Sequence, residues 1–175
     1  GTDGTLRRLA GGANQRGDTD GIGGAARFSF IPGVAFDRSS KVVYVADHNN
    51  YTVRNMAPDG TVSTFAGRAG NQGCFDGRGG AARFMLRVGL AVDDAGCVWV
   101  ADDNKVRKIT PDGEVSTLRG QGVKFGRLDG IALDRSGNVY VADRDEHVVW
   151  KVTPKNRVSR LGSSGLAMGG SGWLV

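Results

Sequence analysis

The sequence is poor in the residues that build most metal and redox sites. Its 175 residues include only two histidines and two cysteines. A three-histidine zinc site therefore cannot be assembled from this chain. Cys74 and Cys97 stand in unrelated sequence contexts and are expected to be two free thiols. No cofactor or metal is predicted, and no Ser/His/Asp or Cys/His grouping typical of covalent catalysis occurs.

Long apolar runs are also missing. No stretch approaches the roughly 20 residues that a membrane-spanning helix needs, so we predict no membrane insertion. The chain instead has 29 glycines and 39% hydrophobic residues, a combination typical of short strands separated by tight turns. Its net charge of +5 favours acidic partners without identifying one.

A five-residue motif occurs three times and organises the chain. Each copy is a short run of β-branched and aromatic residues that ends in an aspartate, which predicts a buried strand followed by a hairpin turn. The copies begin 55 and 41 residues apart (98 minus 43 and 139 minus 98), and such periods indicate propeller blades or solenoid units. The three copies are Val43-Tyr44-Val45-Ala46-Asp47, Val98-Trp99-Val100-Ala101-Asp102 and Val139-Tyr140-Val141-Ala142-Asp143.

Each repeat is predicted to contain four short strands. In the first repeat these are Gly33–Phe36, Val42–Ala46, Tyr51–Met56 and Thr61–Ala66. Evenly spaced strands separated by Gly, Asp, Pro and Ser turns predict an all-β chain of four-stranded antiparallel blades. Glycine-rich linkers join the blades, and one phenylalanine in each linker is expected to fill the space between neighbouring blades. These residues are Phe28, Phe84 and Phe125.

The repeats divide the chain into five parts. We predict the last strand of a preceding blade at 1–11, a linker and blade at 12–67, and another at 68–120. A shorter linker with a blade follows at 121–162, and 163–175 begins a further blade. Because three blades and two partial ones fall short of the usual four to eight, we expect this chain to be an arc of a larger ring that needs further blades to close.

The repeats resemble the NHL-repeat family of β-propellers. The stretches that carry the resemblance are Val98–Asp102, Val106–Gly113 and the linker Asp76–Phe84. The resemblance implies a propeller, commonly six-bladed. Members of the family recognise proteins or, in some regulators, single-stranded RNA, and a few related propellers are metal-dependent enzymes.

The aspartates that end the repeated motif could suggest a ring of carboxylates around a cation. A structural role is favoured, because an aspartate at a strand end can accept hydrogen bonds from the backbone of the following turn. A calcium ion also needs six to eight oxygens that converge on one point. The turn sequences that begin at Asp37, Asp93 and Asp134 are interpreted in the same way.

Basic residues in the linkers are the main candidates for a binding surface. Propeller geometry puts the linkers and the loop after each Ala-Asp on one face, and the Pro-Asp-Gly turns on the opposite face. A positive face of this kind would suit an acidic protein, glycan or nucleic acid, although few aromatic residues are present to stack on RNA bases. Solvated charges, with Arg83 in structural hydrogen bonds, are the competing interpretation. The candidates are Arg68, Arg78, Arg83, Arg87, Lys124, Arg127, His48 and His147.

Three functions stay open at this level. The leading prediction is a non-catalytic interaction or scaffolding module that binds a protein partner through the linker-loop face. The alternatives are binding of single-stranded RNA or an acidic glycan through the basic linkers, and a lyase or lactonase-like enzyme with its site in blades outside this sequence. Asn50 opens an Asn-Tyr-Thr sequon, which favours a non-cytosolic location with glycosylation at this position.

Overall fold

Three antiparallel sheets, one from each predicted blade, make up the fold. The structure is a computed structural model, and it describes Gly4 and residues 6–85, 89–118 and 122–161. The all-β prediction is confirmed, since the helical elements are three-residue 3-10 turns at Gly23–Ala25, His48–Asn50 and Gly79–Ala81. Within these ranges no helix has the length and apolar character to cross a membrane.

The first sheet has the spatial strand order β1-β5-β4-β3-β2. The four predicted strands form, each with its ends within one residue of the expected position. An additional strand, β1, comes from the linker and pairs with β5 on the outer edge of the blade. The strands are β1 (Gly21–Ile22), β2 (Gly33–Phe36), β3 (Val43–Asp47), β4 (Thr52–Met56) and β5 (Thr61–Gly67).

The second sheet repeats this arrangement and the third lacks its outer strand. In the second sheet the order is β6-β10-β9-β8-β7, and in the third it is β11-β12-β13-β14. In the part of the shorter third linker that the structure describes, residues 122–127, no rim strand forms. The strands are β6 (Gly77–Arg78), β7 (Leu90–Val92), β8 (Val98–Asp102), β9 (Lys105–Ile109), β10 (Glu114–Thr117), β11 (Leu128–Leu133), β12 (Val139–Asp143), β13 (Val148–Val152) and β14 (Val158–Arg160).

Each blade has a front face towards the preceding blade and a back face towards the next one. One apolar cluster joins the back face of the first blade, including Tyr44 and Val53, to the front face of the second, including Leu90 and Val98. Phe84 is fully buried in this cluster, as predicted for a residue between blades. A second cluster joins the second and third blades in the same way, with Phe125 against it.

A buried arginine holds each long linker to the blade that follows it. Arg54 in β4 lies opposite Val45 and is completely buried. Its guanidinium donates to Asp47 at the end of β3 (Nη1 to Oδ2, 2.9 Å) and to Asp20 in the linker. It also donates to two linker carbonyl oxygens and lies over the ring of Phe28 at 5.3 Å. The linker is therefore part of the blade's folded core.

The second blade contains the same arrangement. Arg107 donates to Asp102 (2.8 Å) and Asp76 (3.0 Å) and lies 5.1 Å from the centre of the Phe84 ring. Partial burial acts to raise the pKa of Asp76, but hydrogen bonds from Thr117 and Arg107 and the charge of Arg107 together lower it. The Asp76 carboxylate is thus held as an anion beside the cation.

The predicted caps form at the turns and at one motif aspartate, since Asp143 accepts from the N–H of Glu146 in the following turn at 3.0 Å. Asp37 accepts from the backbone N–H of Ser39, two residues on, as an Asx turn requires. Asp47 instead accepts from the N–H of Ser29 in the linker at 2.7 Å. The linker runs back to the blade at this point, so the N–H group of its residue Ser29 lies close enough to donate to the carboxylate.

Other expectations fall on the ends of the chain and on the cysteines. The strand predicted at 1–11 falls partly outside the described residues, and the described residues 6–11 are not assigned to a strand. Residues 163–175 lie outside the described residues. Cys74 and Cys97 are not disulfide-bonded to each other, and burial raises the pKa of both thiols.

Candidate binding face

The loops that follow β3, β8 and β12 share one side of the molecule with the inner ends of the linkers. The N–H of His48 donates to the carbonyl of Phe30 at 3.0 Å, and the N–H of Leu128 donates to the carbonyl of Asp103 at 2.7 Å. We call this side the loop face. The turns at the other ends of the strands, including Asp93–Cys97 and Thr110–Gly113, form the turn face.

Arg78 does not lie on the loop face. It belongs to β6, which runs beside the first residues of β10, so it lies next to the turn at Pro111–Gly113. Its Nε donates to the Asp112 carbonyl at 3.0 Å, and its Nη2 lies 3.6 Å from the Asp112 carboxylate. The second linker thus crosses the edge of the blade from the loop face to the turn face. The basic residues that were predicted to form one cluster therefore lie on different faces.

Arg127 lies on the loop face with its charge balanced. Its Nε and Nη2 donate to the carboxylate of Asp145 at 2.9 and 2.8 Å. The paired hydrogen bonds raise the pKa of Arg127 and lower the pKa of Asp145. A bidentate pair of this kind presents a planar polar surface with little net charge.

Arg83 serves the linker backbone. Its Nη1 donates to the carbonyl oxygens of Gly80 and Ala82 at 2.6 and 2.7 Å. Arg27 makes the equivalent bonds in the first linker, so the duplicated Ala-Ala-Arg-Phe sequence has a shared structural use. This geometry matches the structural interpretation of Arg83.

The other candidates that the structure describes lie in different linkers and loops. Arg68 and Lys124 are exposed, and Arg87 lies outside the described residues. The ring of His48 meets the ring of Phe30 edge-on at 5.5 Å, while His147 is exposed in the loop of the third blade. Across the described ranges, no three His, Cys, Asp or Glu side chains are arranged to hold a metal ion.

The sequon asparagine is engaged within the fold. The Nδ2 of Asn50 donates to the carbonyl of Gly17 at 2.7 Å and to Asp47 at 2.8 Å. This is the atom that would carry a glycan, and because a glycan replaces one of its two hydrogens, glycosylation would remove at least one of these bonds.

Two phenylalanines were not predicted from the sequence as surface residues. Phe30 is 62% exposed beside the first loop, and Phe75 is 67% exposed in the second linker. The carbonyl of Phe75 accepts from the buried Arg107 at 2.8 Å, so its position is fixed while its ring faces solvent. A signal was available, because the equivalent residues in the other long linker are Leu86 and Thr19, which shows that no shared structural role requires phenylalanine.

Comparison with solved structures identifies the architecture. A Bacteroides thetaiotaomicron protein of unknown function aligns over 67% of this chain and 34% of its own, with 25% identity and a TM-score of 0.62. A gluconolactonase from Xanthomonas campestris aligns over 77% and 48%, at 16% identity and a TM-score of 0.61. A chain of the nidogen/laminin complex aligns over 82% and 52%, at 20% identity and a TM-score of 0.60. The described blades form part of a β-propeller.

These likenesses extend no further than the fold. No protein-family profile matches the chain, and no curated protein matches it. The chain spans about a third to a half of the length of the solved structures that it resembles. The resemblance to the NHL family within the β-propellers therefore remains a prediction.

Proposed function

We propose that this chain is a protein-binding module and that the loop face, with Phe30 and Phe75, contacts the partner. The observation that carries the proposal is the exposure of these two rings on linkers whose backbone is hydrogen-bonded to the blades. Aromatic side chains and arginines are enriched in the centres of protein interfaces, where they bury a large area at low entropic cost. The structure of the nidogen/laminin complex is consistent with such a use of this architecture.

The distribution of charge supports a protein partner over a polyanion. Binding of a nucleic-acid backbone depends on several lysines or arginines that neutralise phosphates together. Here Arg78 lies towards the other face, Arg127 is paired with Asp145, and Arg83 is used by the linker backbone. Of the predicted cations, Arg68 and Lys124 stay exposed with no ion pair within the described structure, and they belong to different linkers.

An affinity-capture experiment tests the proposal. The chain is immobilised as wild type, as the double variant Phe30→Ser/Phe75→Ser, and as the control Ile22→Ser. Ile22 is also an exposed apolar residue, but it lies on the rim strand β1. We expect one protein to be retained by wild type and control and to be lost, by at least tenfold, with the double variant.

A second measurement separates loss of binding from loss of folding. The circular dichroism spectrum and the midpoint of unfolding of the double variant should match those of the wild type, because both rings are largely in solvent. Capture of the same proteins by all three forms would refute the loop face as the binding surface.

A further inference from the structure

The outer edge of the third blade is open within the described residues. In the first and second blades the outermost strands, β5 and β10, pair with the rim strands β1 and β6, which the preceding linkers supply. The outermost strand of the third blade, β14, pairs with β13 and with no other described strand, because residues 122–127 of the short third linker form no strand. An open sheet edge of this kind can pair with a further extended segment.

The first blade shows which backbone groups such a segment would meet. Gly21 of β1 lies opposite Val62 of β5. Val158 is the equivalent residue of β14, because it lies opposite the same position of the neighbouring strand as Val62 does. Successive residues of a strand direct their backbone N–H and C=O groups to opposite edges. Since the carbonyl of Arg157 accepts a hydrogen bond within the blade, the backbone groups of Val158 and Arg160 point to the outer edge.

An aspartate precedes each rim strand and contacts the outermost strand of its blade. The hydroxyl of Thr117 in β10 donates to Asp76 at 2.7 Å, and the first blade has the same contact. Arg160 is the residue of β14 equivalent to Thr117, since it lies opposite Trp150, the counterpart of Arg107. A carboxylate in the same place on β14 would therefore meet a guanidinium, with which it forms strong charge-assisted hydrogen bonds.

The guanidinium of Arg160 is held at this edge. It lies over the ring of Trp150, 5.1 Å from the ring centre. Its Nη2 is 3.4 Å from a carboxylate oxygen of Glu146, and both side chains are about half exposed. Because an exposed pair of this kind contributes little stability, an incoming carboxylate can join Glu146 or take its place.

The charges around β14 favour an acidic segment as the occupant. Lys155 and Arg157 are exposed beside Arg160 at this end of the blade. Positive charges on a strand edge disfavour pairing with the same edge of a second copy, and they attract an acidic partner. The aspartates that precede β1 and β6 are the intramolecular examples of such a partner.

We propose that the outer edge of the third blade binds an extended Asp-Gly segment of a partner protein as an added antiparallel strand, with its aspartate on Arg160. Glycine is expected after the aspartate because Gly21 and Gly77 stand there in the rim strands, with φ of 154° and 142°, which other residues rarely adopt. The inference does not rest on the proposed function, because the edge of β14 contains neither Phe30 nor Phe75.

Titration with a synthetic peptide tests the proposal. The probe is a fluorescently labelled, end-capped peptide with the sequence of residues 19–26, Thr-Asp-Gly-Ile-Gly-Gly-Ala-Ala, and fluorescence anisotropy of its mixture with the 175-residue chain should show saturable binding. A peptide with Asp20→Asn should bind about tenfold more weakly, since it loses the charge that meets Arg160. A peptide with Gly21→Pro should bind about tenfold more weakly as well, since proline has no N–H to pair with the edge.

Two protein variants locate the site. Arg160→Ala should weaken binding of the probe about tenfold, because it removes the cation that meets the aspartate. The matched control Arg135→Ala removes an exposed arginine from the turn after β11 and should leave the affinity unchanged. The circular dichroism spectra of both variants should match that of the wild type, because both side chains are exposed.

Amide hydrogen exchange followed by NMR separates an open edge from one that is already covered. The backbone N–H groups of Val158 and Arg160 should exchange quickly in the free chain and become protected when the probe is added. Protection before the probe is added, the absence of saturable binding, equal affinity of Arg160→Ala and wild type, or undiminished binding of the proline peptide would each overturn the proposal.

Discussion

The first two blades and the third place different residues at the same position. Arg54 and Arg107 lie opposite Val45 and Val100, and Trp150 lies opposite Val141 in the same register. Trp150 also meets the motif aspartate, since its Nε1 donates to Asp143 at 3.0 Å. In place of a linker carboxylate and carbonyl oxygens, it has the ring of Phe125, whose centre lies 5.9 Å from the centre of the Trp150 ring in a T-shaped arrangement.

The difference follows from the length of the linker. A buried guanidinium needs many acceptors, and a long linker supplies them through its carbonyl oxygens and its own aspartate. Even so, the Nε atoms of Arg54 and Arg107 find no hydrogen-bond partner within the described structure. The short third linker offers fewer acceptors, and the single donor of tryptophan needs only one. The side chain at this position therefore depends on the length of the linker: arginine occurs with a long linker and tryptophan with the short one.

The largest effect is expected when an arginine is removed from a long-linker blade. Arg54→Ala leaves Asp47 as a buried, uncompensated carboxylate, which should lower the free energy of unfolding by about 3–5 kcal/mol. Chemical denaturation followed by fluorescence measures the change. The control Arg78→Ala removes an exposed pair and should cost less than about 1 kcal/mol. Equal losses of unfolding free energy in the two variants would show that Arg54 does not hold the linker to the blade.

A smaller effect is expected at the equivalent residue of the third blade. Trp150→Phe keeps an aromatic ring but removes the hydrogen bond to Asp143, which should cost about 2 kcal/mol. The same denaturation experiment measures it. A loss as large as that of Arg54→Ala would contradict the conclusion that the third blade depends on one neutral donor.

The linker carboxylate should contribute less than the buried one, and its contribution should depend on pH. Asp76 is half exposed, so Asp76→Asn should cost about 1 kcal/mol or less near neutral pH. Its pKa is lowered in the folded state from 3.8, so its stabilisation is present above 3.8 and is lost as the pH falls through the folded value. Unfolding curves of variant and wild type should therefore converge in acid; a constant difference would exclude the ionised carboxylate as the cause.

The smallest effect is expected on the turn face of the third blade. Asp134 accepts hydrogen bonds from Asn138 and from the hydroxyl of Tyr140. The bonds from Asn138 are the main reason that the pKa of Asp134 is lowered to about 2. Asp134→Asn should slightly lower the midpoint of thermal unfolding at neutral pH. The deficit should fade as the pH drops from 3.8 towards 2, because the wild-type carboxylate is then protonated too. Calorimetry at several pH values checks this, and a deficit that grows in acid would contradict it.

Most of the fold was predictable because the repeated motif carries its own periodicity. The strands follow from alternating β-branched and aromatic residues and from Asp-Gly turns, and they form where expected. The rim strands β1 and β6 were not predicted, since Gly-Ile and Gly-Arg have no strand pattern of their own. Their pairing depends on the linker being held against the blade by contacts far away in sequence.

The candidate site was less predictable because charge in the sequence does not reveal partners. Arg78, Arg83 and Arg127 look alike in the linkers, yet each meets a different acceptor in three dimensions. Arginine is also normally exposed, so burial of Arg54 and Arg107 was missed. The one signal was that tryptophan occupies the same repeat position, which indicates an enclosed site for a large side chain with a donor at its end.

The hydrogen bonds of the buried arginines determine where one repeat can be separated from the next. The linker at 68–85 is hydrogen-bonded through Phe75, Asp76 and Arg83 to Arg107 of the blade that follows it. A repeat excised or exchanged as a cassette should therefore be cut before Arg68. A cut after Met85 would separate Arg107 from Asp76, one of its two carboxylate partners. The buried hydrogen bonds between the linker and the blade would then be missing at the new junction.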